Sequence, residues 1–189
     1  VNDRFAALAT ALAAPGARVW VHDYQLQLVP AMARRRRPDL RIGFFNHIPF
    51  PGYEIYAQLP WRRQIVDGLL GADLLGFQRR ADVTNFPRAC RRAAGRQTRG
   101  GGVWVPGQGT LGNDGAARTG GGFGSGGGRE VRVAAFPISI DSAGLGELAR
   151  REDVRARARQ IRAELRDPDI VLLGLDRLDY TKGILHRLQ

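Results

Sequence analysis

Residues 18–45, RVWVHDYQLQLVPAMARRRRPDLRIGFF, carry the clearest indication of the fold of this chain. It begins with the apolar run Arg18–His22 and ends with a second such run, Arg41–Phe45. Runs this short are typical of buried strands, whereas the intervening Leu26–Arg37 carries its apolar residues on one side, as a helix does. A strand, a helix and a second strand in this order predict two parallel strands joined by a crossover helix.

The same alternation continues on both sides of this unit. Further helices are predicted at Asn2–Ala13, Trp61–Leu70 and Arg80–Ala94, and further strands at Asp73–Phe77 and Val131–Ile138. Pro87 should kink the last of these helices or split it in two, because proline breaks the helical hydrogen-bond pattern. Apolar strands of this kind are typical of sheets that are buried on both faces. The pattern therefore predicts an α/β fold built on a Rossmann-like, doubly wound parallel sheet.

One segment of low complexity interrupts this pattern. Residues 99–128 hold 14 of the 25 glycines of the chain. A segment with so few apolar side chains cannot offset the entropy lost on ordering, so we expect a flexible surface insert. Its glycines do not end in the Gly-Lys-Ser/Thr sequence of a phosphate-binding loop, which argues against a nucleotide site in the insert.

The pattern changes in the C-terminal part of the chain, where a second domain is predicted to begin. Glu147–Arg166 predicts one long charged helix with a narrow apolar stripe, and Ile170–Leu175 predicts another buried strand. We therefore assign residues 1–140 to most of a first Rossmann-like domain, 141–168 to a connecting helix and 169–189 to the start of a second domain. Because both termini fall within or beside predicted helices, we expect the sequence to be a fragment.

Charge and composition narrow the classes of partner. The formal net charge is +11, but the arginines are spread over the chain without interleaved aromatic residues, so we expect no nucleic-acid partner and favour an anionic small molecule. No apolar run approaches the length of a membrane span. The single cysteine, Cys90, fits a reducing cytoplasm and, with no histidine nearby in sequence, is expected to be inert.

Two polar groups follow the first two predicted strands. Asp23, after Arg18–His22, can accept hydrogen bonds from sugar hydroxyls, although it can equally cap the next helix. His47, after Arg41–Phe45, lies in a loop with two prolines and flanking aromatics, where an imidazole is either functional or structural. His22 reads as a strand residue. Because ligands bind at the carboxyl ends of strands in such folds, these positions are candidates for a site.

A third group follows the strand at Ile170–Leu175. Lys182 is the only lysine in a chain whose other cations are arginines, which indicates a place where a compact point charge is needed. Arg177 lies five residues before it in the same loop, and a helix is expected to begin after Gly183. Two cations at a helix N-terminus predict a phosphate or diphosphate site. The alternative is that Lys182 is an ordinary loop cation and that its being the only lysine is a matter of chance.

Five segments resemble the trehalose-6-phosphate synthases, the retaining glycosyltransferases of family 20. They are VWVHDYQLQLVP (19–30), RIGFFNHIPFPGYEIYAQLPWR (41–62), LLGADLLGFQ (69–78), FPISID (136–141) and DRLDYTKGI (176–184). The resemblance implies a GT-B architecture, in which two Rossmann-like domains face each other across a cleft. It also implies that no metal or other cofactor is essential.

The resemblance implies an activity and a role for each candidate residue. The family transfers glucose from UDP-glucose or GDP-glucose to glucose 6-phosphate with retention, giving trehalose 6-phosphate. Asp23 and His47 match its active-site residues, Asp23 contacting the acceptor sugar and His47 lying near the donor glucose. Arg177 and Lys182 match the residues that hold the donor diphosphate. The expected partners are these two substrates, and a homo-oligomer is left open for the longer protein.

Departures from the family pattern leave alternatives open. The family's glycine-rich loop and acceptor-phosphate residues would precede Val1, and its uridine pocket would follow Gln189, so we expect these 189 residues alone to be inactive. A relative with another acceptor, such as a glucosylglycerol-phosphate or pseudo-disaccharide synthase, and a non-catalytic relative are the alternatives. The presence of all four candidate residues argues against the second of these.

Overall fold

The computed structural model describes residues 1–107 and 127–188 and contains two compact units, Val1–Ile138 and Ser139–Gln189. The first unit holds helices α1 (Asn2–Leu12), α2 (Val29–Arg36), α3 (Tyr53–Tyr56), α4 (Arg62–Leu69) and α5 (Arg80–Ala94). Its strands are β1 (Arg18–His22), β2 (Arg41–Asn46), β3 (Leu74–Phe77), β4 (Thr98–Arg99), β5 (Gly102–Pro106) and β6 (Gly128–Ala135). The second unit holds α6 (Ser142–Arg150), α7 (Glu152–Glu164) and α8 (Ile184–Arg187). Short 3-10 helices lie at Tyr24–Leu26 and Tyr180–Lys182.

The strands form one sheet in the order β1-β2-β3-β6-β5-β4. Strands β1, β2, β3 and β6 are parallel, and β5 pairs antiparallel with both β6 and β4. The prediction of an α/β fold with a parallel-dominated sheet is confirmed. The assignment of residues 1–140, 141–168 and 169–189 to two domains and a connector stays a prediction.

The helices of the first unit pack on one face of this sheet. Helices α1, α2, α4 and α5 contact one another in a row, as expected when successive right-handed crossovers join adjacent strands. Phe44, Leu75 and Phe77 are buried beneath them, whereas Trp20, which alternates to the other face, is 70% exposed. Phe45, on the same face as Trp20, is buried, so among the described residues the expectation of strands buried on both faces is met fully on one face and in part on the other.

The glycine-rich insert, predicted as 99–128, is in part ordered. Strand β5 lies within it, β4 adjoins it, and β6 begins at Gly128, so the prediction of a flexible segment is wrong for its two ends. The sequence GVWVP carries β-branched and aromatic side chains that suit a strand, and Val103 is fully buried. The central part of the insert, 108–126, lies outside the described residues.

Helix α5 has the predicted bounds, Arg80–Ala94, and runs continuously through Pro87. Of the two expectations for Pro87, the split is therefore absent, and the kink stays a prediction. Phe86 and Ala89, on either side of that proline, are both fully buried against the core. Tertiary packing of this apolar face outweighs the hydrogen bond that proline removes.

The second unit departs most from the sequence-based expectation. Instead of one helix at Glu147–Arg166, α6 and α7 are separated by Arg151, whose backbone is extended at φ −58° and ψ 141°. The side chain of Asp141 starts α6 early by accepting a hydrogen bond from the Gly144 N–H at 2.9 Å. Acidic residues at the start of α7 favour a new helix N-terminus there.

The strand predicted at Ile170–Leu175 is absent from the structure. Leu172, Leu173 and Leu175 are each at least 90% exposed, and no strand among the described residues of this unit lies beside them. A β-strand needs a neighbour to pair its N–H and C=O groups, which an apolar run alone does not supply.

Candidate functional site

Asp23 joins the two loops that leave β1 and β2. Its Oδ1 accepts hydrogen bonds from the backbone N–H groups of Tyr24 at 2.9 Å and His47 at 3.2 Å. Its own N–H donates to the Phe45 carbonyl at 2.8 Å. Asp23 caps the 3-10 helix Tyr24–Leu26 and not the helix predicted at Leu26–Arg37, whose observed N-cap is Leu28 without a side-chain hydrogen bond. The same oxygen also holds the backbone of the second loop.

The backbone of Asp23 is strained. Its φ of 69° and ψ of 167° lie in a region that glycine adopts readily and other residues rarely do. Such strain costs on the order of 1–3 kcal/mol and is concentrated at functional sites. Both hydrogen bonds to the carboxylate use Oδ1, which leaves Oδ2 available to accept from a hydroxyl group.

His47 lies on a loop that is anchored at several points. The buried Asn46 donates from Nδ2 to the Ile48 carbonyl at 2.6 Å. At the other end, the Phe50 N–H donates to Oδ1 of Asp82 at 3.2 Å, and Asn85 donates to the Phe50 carbonyl at 3.1 Å. The loop therefore presents an exposed imidazole on a backbone fixed by buried side chains.

The structure adds His22 to the residues found from the sequence. Its Nδ1 lies 2.9 Å from Nε2 of His47, and the two rings stack with centroids 5.2 Å apart. His22 is the last residue of β1, as predicted, and pairs in register with Phe45 of β2. Sequence reasoning set it aside as a strand residue. Its position at the strand end, directly before Asp23, was the signal that could have identified it.

A cavity of about 530 Å³ opens beside these imidazoles on the uncovered face of the sheet. Most of its walls are apolar, and His22 and His47 are the titratable residues among those that line it. The remaining lining residues are Trp20, Gly43, Phe44, Phe45, Leu74, Gly76, Phe136, Pro137 and Ile138. The polar groups of the site thus lie at the border between the strand ends and an apolar surface.

Arg177 and Lys182 belong to the second compact unit, whereas Asp23 and His47 belong to the first. Both are exposed, and within 127–188 neither side chain has a hydrogen bond or an ion-pair partner. Asp176, beside Arg177 in the chain, pairs with Arg187 at 2.7 Å.

Asp179 organises the turn between the two cations. Its Oδ1 accepts from the backbone N–H and the hydroxyl of Thr181, at 2.9 and 3.0 Å. These two hydrogen bonds are the main cause of a lowered pKa for Asp179, and the charges of Arg177 and Lys182 lower it further. Helix α8, which follows, has only four residues. The turn is ordered locally, while its cations remain open to an anion.

Two classes of site are missing from the described parts of the chain. No group of three or more His, Cys, Asp or Glu side chains in 1–107 and 127–188 is arranged to hold a metal ion. No helix in the same ranges has the length and apolar character that crossing a membrane requires. Cys90 is fully buried, and burial raises the pKa of its thiol, in keeping with an unreactive side chain.

The family is decided by a match along the entire sequence. A model of glycosyltransferase family 20 matches residues 1–189. The chain belongs to glycosyltransferase family 20. Among curated members, the trehalose-6-phosphate synthase of Mycobacterium avium (strain 104) is 56% identical over 189 residues, which cover 100% of this chain and 36% of that protein. The chain thus spans about a third of the length of the curated family 20 relatives it matches.

Solved structures of family 20 relatives agree with this assignment. An E. coli structure bound with UDP-2-fluoro glucose has a TM-score of 0.68 and 28% identity, covering 98% of this chain and 36% of that one. A UDP-forming α,α-trehalose-phosphate synthase from Burkholderia xenovorans, in complex with glucose-6-phosphate, has a TM-score of 0.67 and 30% identity, covering 98% of this chain and 38% of that one.

Proposed function

We propose that this chain is part of an α,α-trehalose-phosphate synthase. In this proposal glucose passes from UDP-glucose, or GDP-glucose, to glucose 6-phosphate with retention, giving trehalose 6-phosphate and the nucleoside diphosphate. The name of the Mycobacterium avium relative and the ligands of the two solved relatives support these substrates. The family membership supports the reaction class.

The observation that carries the proposal is the contact between the two strand-end loops. A single carboxylate oxygen of Asp23 fixes the backbone of His47, although holding Asp23 there requires a strained backbone. We propose that Oδ2 of Asp23 accepts a hydrogen bond from a hydroxyl of the acceptor sugar. The imidazole of His47, whose backbone is held by the same carboxylate, then lies next to the donor glucose. Positioning of this kind is a large part of what an enzyme contributes to a two-substrate transfer.

The proposed chemistry needs no protein nucleophile. The bond between the anomeric carbon and the diphosphate oxygen breaks, and the acceptor hydroxyl attacks from the same face. The departing phosphate oxygen takes the proton of that hydroxyl, so the atoms and charges balance. Arg177 and Lys182 stabilise the negative charge that develops on the diphosphate, in place of a metal ion. Their side chains are exposed and have no partner within 127–188, which suits this role.

The proposal is tested with a chimeric protein, called the exchanged protein below. In it, the 189 residues of this chain replace the matching 36% of the Mycobacterium avium trehalose-6-phosphate synthase. Formation of trehalose 6-phosphate from UDP-glucose and glucose 6-phosphate is then measured. We expect the exchanged protein to make the product, and Asp23→Ala and His47→Ala within it to lose most of the turnover. Circular dichroism and thermal unfolding check that each protein is folded. A folded exchanged protein without activity would contradict the proposal.

Other acceptors distinguish the alternatives within the family. The exchanged protein and the unchanged Mycobacterium avium protein are compared with glucose 6-phosphate, glycerol phosphate and other sugar phosphates. Because Asp23 is proposed to contact the acceptor sugar, a shift of preference in the exchanged protein would assign another acceptor to this chain. Equal preference would show that residues 1–189 are compatible with glucose 6-phosphate as the acceptor.

A further inference from the structure

The His22–His47 contact is a hydrogen bond between two imidazoles. Nδ1 of His22 and Nε2 of His47 are 2.9 Å apart, a distance at which one nitrogen donates and the other accepts. Whichever nitrogen carries the shared proton, Nε2 of His47 is engaged, and Nδ1 of His47 is the ring nitrogen left for a ligand. If both rings were fully protonated, two N–H groups would face each other and the contact would break.

The two histidines differ in how firmly they are held. His22 belongs to β1, is paired with Phe45 across the sheet, and has the Trp20 ring at a centroid distance of 4.5 Å. His47 lies on the loop beyond β2, with its backbone held by Asp23 and its ring 4.8 Å from that of Phe45. Side chains on strands are more precisely placed than side chains on loops. The strand imidazole therefore constrains the loop imidazole.

Core packing does not account for this contact. Both histidines are exposed, and both line the cavity beside the strand ends. An exposed imidazole buries little apolar area, so the pair contributes little to the core through the hydrophobic effect. Its definite consequence is on His47, whose ring orientation is fixed by a partner at Nε2.

We infer that His22 is a positioning residue for His47. The inference rests on the proposed function, which places His47 beside the donor glucose. By occupying Nε2, His22 fixes the orientation of the His47 ring and directs Nδ1 to be the ligand-contacting nitrogen. A ligand rich in hydroxyl and phosphate oxygens is then met by a ring nitrogen of defined position.

Imidazole-nitrogen NMR of the 189-residue chain tests the inference without any activity. The chain has three histidines, and the exposed His186 of the second unit serves as an internal control. We expect the Nε2 signal of His47 to be that of a hydrogen-bonded nitrogen in the unchanged chain and that of a solvent-exposed imidazole, like His186, in His22→Leu. His22→Asn, whose amide lies near the position of Nδ1, should restore the hydrogen-bonded signal, and His22→Gln, whose amide lies further out, should not. An unchanged His47 signal in folded His22→Leu would overturn the inference.

Kinetics of the exchanged protein give the second readout. Loss of one hydrogen bond predicts about a fivefold lower kcat for His22→Leu with little change in KM, and recovery in His22→Asn. Equal kcat in His22→Leu and the unchanged protein would overturn the role in catalysis. If the exchanged protein makes no product, the proposed function fails, and the NMR result still decides whether His22 holds His47. If His22→Leu does not fold, the comparison of His22→Asn with His22→Gln decides the same point.

Discussion

The loops after β1 and β2 and the turn Arg177–Gly183 were both assigned to a site from the sequence, and their structures differ. Asp23 and His47 are joined by a hydrogen bond, and His47 has a second one to His22. Arg177 and Lys182 are exposed, with no side-chain hydrogen bond within 127–188. One candidate group is pre-organised by its contacts, and the other is ordered only by its own turn.

The difference follows from what lies beneath each loop. Strands β1 and β2 are paired over five residues each, so their carboxyl ends are fixed side by side. The apolar run Ile170–Leu175 has no strand beside it among the described residues, and its leucines are exposed. A motif can thus specify the chemistry of a loop, while the neighbouring strands determine whether its side chains are held in place.

Hydrogen exchange of backbone amides tests directly whether residues 170–175 are unpaired while strand β2 is paired. We expect residues 170–175 to exchange at nearly the rate of an unfolded peptide, because they have no ladder partner in the structure. Strand β2, paired on both sides, should be protected at least about 10³-fold more. Comparable protection in both segments would restore the strand predicted from the sequence.

Replacing Lys182 tests whether the open turn is functional. In the exchanged protein we expect Lys182→Ala to reduce turnover about 10²–10³-fold, since it removes a charge proposed to stabilise the departing diphosphate. Lys182→Arg should also impair turnover, because a planar fork does not replace a point contact. Arg155→Ala, at an exposed position of α7, removes the same charge and is the control. Near-normal turnover of Lys182→Arg would refute the geometric argument.

Much of the fold could be predicted because its strands and helices carry strong local signals. Helices α1, α4 and α5 and strands β1, β2 and β3 were located to within one residue at each end, and α2 and β6 to within three. The wrong predictions concern segments whose structure depends on distant parts of the chain. Strand β5 forms because it pairs with β6, and the run Ile170–Leu175 forms no strand because no strand lies beside it among the described residues. The local sequence shows neither the presence nor the absence of such a neighbour. Hydrophobic pattern reports what a segment can bury and does not report what lies beside it.

The candidate site could be predicted less completely. Asp23 and His47 were found because each follows an apolar strand, and the register of β1 with β2 brings them together. The role of His22 depends on the orientation of two rings across that register, which spacing along the chain does not encode. The backbone strain at Asp23 could not be predicted either, because the sequence does not determine its φ and ψ angles by any local signal. Functional assignments for all these residues stay proposals.

Substitution of two glycines on the same face of the sheet tests how firmly the side chains near His47 are packed. A Cβ at Gly76 would lie 2.7 Å from Cδ2 of Phe45, whereas one at Gly43 would lie 3.6 Å from Cδ1 of Trp20. We expect Gly76→Ala to lower the free energy of unfolding by about 2 kcal/mol and Gly43→Ala to change it by less than about 0.5 kcal/mol. Urea unfolding measures both. Equal effects would show that the Phe45 ring is not fixed beneath His47.

The backbone of Asp23 gives the smallest and most specific test. At an ordinary position alanine is more stabilising than glycine, because glycine loses more entropy on folding. At φ 69° and ψ 167° the order should reverse, with Asp23→Gly more stable than Asp23→Ala by about 1 kcal/mol. Both variants lose the hydrogen bond to the His47 N–H, so the difference isolates backbone strain. Denaturant midpoints decide it: alanine at least as stable as glycine would mean that Asp23 is unstrained and that its conformation provides no argument for function.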